Sequence, residues 1–237
     1  MRTIICIAGF GDDASMYDPL ITSSDSASIR FHAVSLPGFG APSLSQPPTS
    51  LSKLADWLVE TAREARSDTV LAHSVASIIA SLAATRPGSP ITRILSLEGN
   101  LTAADAYFSG TAAQYESAAA FRTAFLARLD EMADGDPIMA RYCSVVEYAD
   151  ADALWELGCD AHAFSAATVP GEVLLKADSA AYFYNRENVP ESSLAWLDKK
   201  PLPSFPLPEA SHWASIDQPG LLVEQVQAAM RLLDEQS

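Results

Sequence analysis

Positive charge is scarce in this sequence: 15 lysines and arginines stand against 30 aspartates and glutamates, a formal charge of −15 over 237 residues. Such a surface repels phosphate backbones and anionic membranes, so neither nucleic acid nor membrane is expected as a partner. Cysteine is nearly absent. Cys6, Cys143 and Cys159 are odd in number and show no CxxC spacing, which argues against a disulfide framework or a thiolate metal site and leaves buried, inert thiols. The histidines His32, His73, His162 and His212 fall in four separate segments without the His-x-x-x-His or His-Glu-x-x-His pairing that holds zinc, so no metal is expected. Long apolar runs are missing too. Ile4 to Ala8, preceded only by Arg2 as a charged residue, is too short for a signal-peptide core or a membrane span, and the expected location is the cytoplasm.

What is present is enough apolar material, 49% of residues, for one globular domain or a domain carrying an insertion. Thr3 to Ala8 is a continuous, largely β-branched run that stops at Gly9-Phe10-Gly11-Asp12-Asp13, the pattern of a strand buried on both faces followed by a turn. Ile29 to Ser35 reads as a second strand ending in Leu36-Pro37-Gly38-Phe39-Gly40. After a proline-broken stretch, Leu51, Leu54, Ala55, Leu58, Val59 and Ala62 recur at helical spacing, with Thr49 or Ser50 placed to cap the helix. Thr69 to Ala72 is a third strand passing into a helix over 75–85, and Ile91 to Leu97 a fourth, closing with Glu98-Gly99-Asn100. Strand-then-helix alternation of this kind indicates a mostly parallel sheet with helices on both faces, so the fold class is α/β.

Alternation lapses over 101–169, where helical periodicities such as Phe121, Phe125, Leu126 and Leu129 replace strands. This block is expected to be a helical cap inserted over the carboxyl edge of a core built from 1–100 and 170–237, since it is too small to bury much core by itself. The alternation is expected to resume with a strand over 173–178, a helical stretch to Leu197, a strand near Phe205 and a last helix from about Pro219 to Leu233.

The chemistry concentrates at Leu71-Ala72-His73-Ser74-Val75-Ala76-Ser77, where a serine stands at the bend between a buried strand and a helix. A hydroxyl used as a nucleophile must be projected clear of the sheet, beside a base and near backbone N–H donors. A sharp strand-to-helix turn achieves this if the residues two before and two after are very small, hence the usual Gly-x-Ser-x-Gly. Here Ala72 and Ala76 fill those positions.

Together with Ala8-Gly9-Phe10-Gly11-Asp12 and Leu36-Pro37-Gly38-Phe39-Gly40, this elbow resembles the α/β-hydrolase family over nearly the whole chain. Ala8 replaces the usual histidine of that family's His-Gly loop, and the elbow itself is close to that of small hydrolases and hydrolase-derived receptors for butenolide-type ligands. The resemblance implies a base at His212, in Ala210-Ser211-His212-Trp213-Ala214, with Asp217 and Pro219 at the start of the helix that follows. It implies an oxyanion hole from the backbone N–H groups of Phe10 and Val75, with Gly9 and Gly11 shaping the loop. His73 fills a variable position, where packing is the expected job.

The acid departs from the family's common Gly-x-x-Asp. Glu98, closing the fourth strand, and Asp178 both satisfy the order serine, acid, histidine. Glu98 is preferred, because a glutamate ending an apolar strand has no structural reason to be buried there. The block over 101–169 also supplies Tyr107, Phe108, Phe121, Phe125, Tyr142, Tyr148 and Trp155, which either line an apolar pocket or fill the cap's own core. The resemblance thus implies a cofactor-independent serine hydrolase of small, largely apolar esters or lactones, with a small molecule as the partner. Carbon–carbon bond hydrolysis, acyl rearrangement, thioester release and a ligand-binding regulator with little turnover remain as alternatives.

Overall fold

The computed structural model describes residues 1–24 and 28–236. Strands β1 (Arg2–Ile7), β2 (Ile29–Val34), β3 (Thr69–His73), β4 (Arg93–Leu97), β5 (Ser179–Tyr184) and β6 (Ser204–Pro206) form a six-stranded sheet in the order β2-β1-β3-β4-β5-β6. Every neighbouring pair is parallel. Between them, and after β6, run α1 (Asp18–Thr22), α2 (Leu51–Ala65), α3 (Ala76–Ala84), α4 (Ala118–Met132), α5 (Pro137–Val146), α6 (Ala151–Ala167), α7 (Pro170–Leu174), α8 (Glu191–Leu197), α9 (Ala214–Asp217) and α10 (Pro219–Gln236).

Crossover handedness places the helices. The chain steps one way from β1 to β2 and the other way from β2 to β3, so right-handed connections put α1 and α2 on opposite faces. α2 packs with α3 on one face, and α1 packs with α9 and α10 on the other. Strands at the centre of such a sandwich meet apolar atoms on both sides; all of Thr69–His73 is buried. In α2 the residues at helical spacing, Leu51, Leu54, Ala55, Leu58, Val59 and Ala62, are the buried ones. Ser50 caps this helix by accepting from the Lys53 N–H, and Arg66 closes it in a left-handed conformation at φ +52°.

Between β4 and β5 the chain is helical. Ser117, Asp136 and Asp150 each accept backbone N–H groups at the starts of α4, α5 and α6, which sets where each of these three helices begins. Asp150 N donates to Gly38 O, while Glu156 and Asp160 of α6 accept the Thr49 and Leu51 N–H groups. These bonds moor α6 to the loop leading into α2.

One expected strand is displaced. Residues 173–178 are not β: Pro170 starts α7, which buries Val173 and Leu174, and the strand follows at Ser179–Tyr184. A short apolar run bounded by proline fits a buried helical turn as well as a strand, and Ser-Ala-Ala-Tyr-Phe-Tyr lacks the β-branched residues that mark one. The register pairs Arg93 with Ser179 and Leu97 with Phe183, so Asp178 lies at the amino edge of the sheet.

Candidate active site

β3 ends at His73 and α3 begins at Ala76, so Ser74 and Val75 make the whole reversal. Ser74 takes φ +54°, a left-handed conformation that costs a non-glycine residue about 1–2 kcal/mol and persists only where the surroundings enforce it. Here the Ser74 N–H donates to Leu97 O at 3.0 Å, tying the bend to the end of β4. Ala72 and Ala76 on either side are fully buried, where a larger side chain would part strand from helix. The loop after β1 comes equally close: a Cβ on Gly9 would stand 2.9 Å from Ser74 Cβ and 3.0 Å from His73 Nδ1. Among the described residues, neither the Phe10 nor the Val75 N–H donates to a protein acceptor.

Glu98 follows the last residue of β4 at φ +43° and is only 6% exposed. Its Oε2 lies 2.8 Å from His212 Nδ1. Its Oε1 accepts the Asn185 backbone N–H at 2.9 Å and the Asn188 side-chain amide at 2.8 Å. An ionised carboxylate can only accept, so this pairing puts the proton on Nδ1 and leaves Nε2 of His212 as the ring's acceptor. His212 stands in the connection between β6 and α9. The side-chain amides of Asn185 and Asn188 also donate to Ala210 O, at 2.7 and 3.1 Å, so the same two residues hold the carboxylate and the segment that carries the imidazole.

His73 does more than pack. Its Nε2 lies 2.9 Å from the His212 carbonyl oxygen, and the two rings sit 4.5 Å apart. A carbonyl only accepts, so Nε2 carries the proton and the buried Nδ1 is left without a partner. Burial, reinforced by His212, holds the His73 ring well below the ordinary histidine range and therefore neutral.

Ser74 and His212 border one small cavity together with Gly9, Phe10, Tyr107 and Tyr142. Of the aromatic residues between β4 and β5, Phe108 lines it as well. Phe121 and Phe125 instead stack on each other at 5.2 Å and pack against Phe10. Trp155 donates to Tyr115 O, and Tyr148 is 88% exposed. Tyr107 Oη lies 3.5 Å from His212 Nδ1, and burial beside Glu98 and Asp105 raises its hydroxyl well above the ordinary tyrosine range.

The fold thus brings Ser74, His212, Glu98, Phe10, Val75, Gly9 and Gly11 to the carboxyl edge of the sheet. It does not bring Asp178, which precedes β5 at the other edge and borders a surface hollow with Thr92 and Pro203. Asp178 is corrected on that ground: a carboxylate on the amino side of the strand faces away from the elbow. Sequence reasoning missed Asn185 and Asn188, an Asn-x-x-Asn directly after β5, because an expected strand over 173–178 places them inside a helical stretch. It also missed Asp12, which is 1% exposed and pairs with Arg141 and the Trp213 indole. Burial pushes the Asp12 carboxyl up while Arg141 pulls it down, and burial prevails.

Solved structures share this architecture. The enol-lactonase from Burkholderia xenovorans LB400 superposes with a TM-score of 0.69 at 17% identity, covering 97% of this chain and 91% of its own. A thermophilic esterase from Thermogutta terrifontis gives 0.70 at 13% identity, covering 98% and 90%. MenH from S. aureus gives 0.69 at 13% identity, covering 100% and 95%. At these identities the likeness speaks for the fold. Among curated protein sequences, none matches this chain. A family model described as "Alpha/beta hydrolase family" matches residues 4–225, and with that extent of match the chain belongs to the alpha/beta hydrolase family.

Proposed function

We propose that the protein is a serine hydrolase of small esters or lactones, with Ser74 as nucleophile, His212 as base and Glu98 as the acid that orients it. The observation that carries this reading is the 2.8 Å contact between Glu98 Oε2 and His212 Nδ1, made beside the cavity that Ser74 borders. In the reaction, Ser74 Oγ attacks the acyl carbon while His212 Nε2 takes its proton. The Glu98 carboxylate stabilises the imidazolium so formed. The oxyanion is received by the N–H groups of Phe10 and Val75. His212 returns the proton to the leaving alkoxide, and water, deprotonated by the same nitrogen, releases the acid from Ser74.

Aromatic side chains, Phe10, Tyr107, Phe108, Tyr142 and Trp213, form much of the wall beside Ser74, which supports a compact, largely apolar acyl group. Structural neighbours that include an enol-lactonase and a thermophilic esterase are consistent with acyl chemistry on this scaffold. The test is labelling by a fluorophosphonate probe together with turnover of a chromogenic short-chain ester. Both are expected in the wild type, and Ser74→Ala is expected to abolish labelling and cut turnover at least about 1,000-fold. Turnover that survives Ser74→Ala, or a wild type that neither labels nor turns over, overturns the reading.

A further inference from the structure

Two consecutive residues of α5 reach across to the loop after β1. Tyr142 Oη donates to Phe10 O at 2.6 Å. Arg141 Nη1 donates to both carboxylate oxygens of Asp12, at 2.7 and 2.8 Å, and its Nη2 donates to Ser15 Oγ at 2.8 Å. The loop between these anchors is a tight turn closed by the Asp12 N–H on Gly9 O, with Gly11 at φ +72°, a backbone state that needs glycine at the third position. Asp12 has further partners. Its Oδ1 accepts the Asp13 N–H at 2.8 Å, and its Oδ2 accepts the Trp213 indole at 3.0 Å. Trp213 is the residue after His212, and its ring packs 5.0 Å from that of Tyr142. One helix therefore grips the segment that presents the Phe10 N–H and, through Asp12, the segment that presents the imidazole.

We propose that α5 sets the working geometry of the oxyanion loop, with Tyr142, Arg141 and Asp12 as positioning residues acting through Phe10 and Trp213. The inference rests on the reading of the Phe10 N–H as an oxyanion donor. A donor worth having must already point at the place where charge will develop. The peptide on the far side of Phe10 Cα is held by the Tyr142 hydroxyl, and the turn's end by a buried carboxylate whose charge the guanidinium compensates. An α5 that moved away would break both anchors at once.

The test compares wild type with Tyr142→Phe, which deletes only the bond to Phe10 O, and with the uncharged double variant Asp12→Asn/Arg141→Met, which avoids stranding a buried charge. The readouts are kcat and KM for a short-chain chromogenic ester, the inhibition constant of a trifluoromethyl ketone whose tetrahedral adduct places an oxyanion in the hole, and Tm. The expected result for Tyr142→Phe is a kcat lowered about 10-fold or more, a matching loss of ketone affinity and a KM within about 3-fold of wild type. Should the double variant not fold, Arg141→Lys, which keeps the charge but not the fork, is expected to show the same pairing of losses to a smaller degree. A lowered Tm with kcat and ketone affinity unchanged makes these residues merely structural and overturns the proposal while the functional reading stands. A wild type without turnover or labelling overturns the functional reading and this proposal with it.

Discussion

His73 Nε2 stands 2.9 Å from the carbonyl oxygen of His212, 139 residues further along the chain. The residue before the elbow serine thus holds the main chain of the residue read as its base and ties the elbow to the imidazole segment. His73→Phe keeps a ring in the space and removes the donor, so kcat is expected to fall several-fold to about 10-fold with KM little changed. His73→Gln, which can reach the same carbonyl, is expected to recover part of the loss. Equal kcat for wild type and His73→Phe would leave His73 a packing residue only.

Stability is expected to fall on mild acidification because of the same residue. The unfolded chain takes up a proton on His73 below about 6.5, whereas in the folded protein burial keeps the ring neutral to well below that value. The unfolded state then binds more protons, and the folded state loses up to about 1.4 kcal/mol per pH unit from this group as pH drops below 6.5. Urea midpoints between about pH 7 and about pH 5 should show a shallower slope in His73→Gln than in wild type. Parallel slopes would contradict the assignment.

The choice of acid is open to a direct comparison. Glu98→Gln keeps the size of the side chain but removes the charge that holds His212 Nδ1, and turnover is expected to drop on the order of 1,000-fold or more. Asp178→Asn, at the opposite edge of the sheet, is expected to stay within about 2-fold of wild type. Collapse in the second variant alone would reverse the assignment.

Gly9→Ala tests the close approach of the two loops. The added methyl would sit 2.9 Å from Ser74 Cβ and 3.2 Å from the His73 carbonyl oxygen, so either the elbow or the Phe10 segment must shift. The fluorophosphonate labelling rate of Ser74 is expected to fall about 10-fold or more. A rate equal to wild type would show that the β1 loop yields without consequence for the serine.

Hydrophobic spacing was enough to read the parallel sheet, the strand-to-helix bend at Ser74 and Glu98 at the end of β4, because each rests on residues within a few positions of one another, whereas His212 was legible only through the family resemblance. Glu98 stood out for a local reason: a carboxylate capping the buried run Ile94-Leu95-Ser96-Leu97 is costly to bury unless something receives it. The β5 strand was misplaced for an equally local reason, since Val173-Leu174-Leu175 is as apolar as a strand and Ser179-Ala180-Ala181 is not. The amides of Asn185 and Asn188 on Glu98, the hold of His73 on His212, and the bond from Arg141 to Asp12 across 129 residues belong to no local pattern. Such partners meet only once strand order and the docking of α5 bring their backbones together. Local sequence determined where a serine at a bend, a histidine and two candidate carboxylates fall; tertiary packing decided which carboxylate faces the imidazole and what holds both in place.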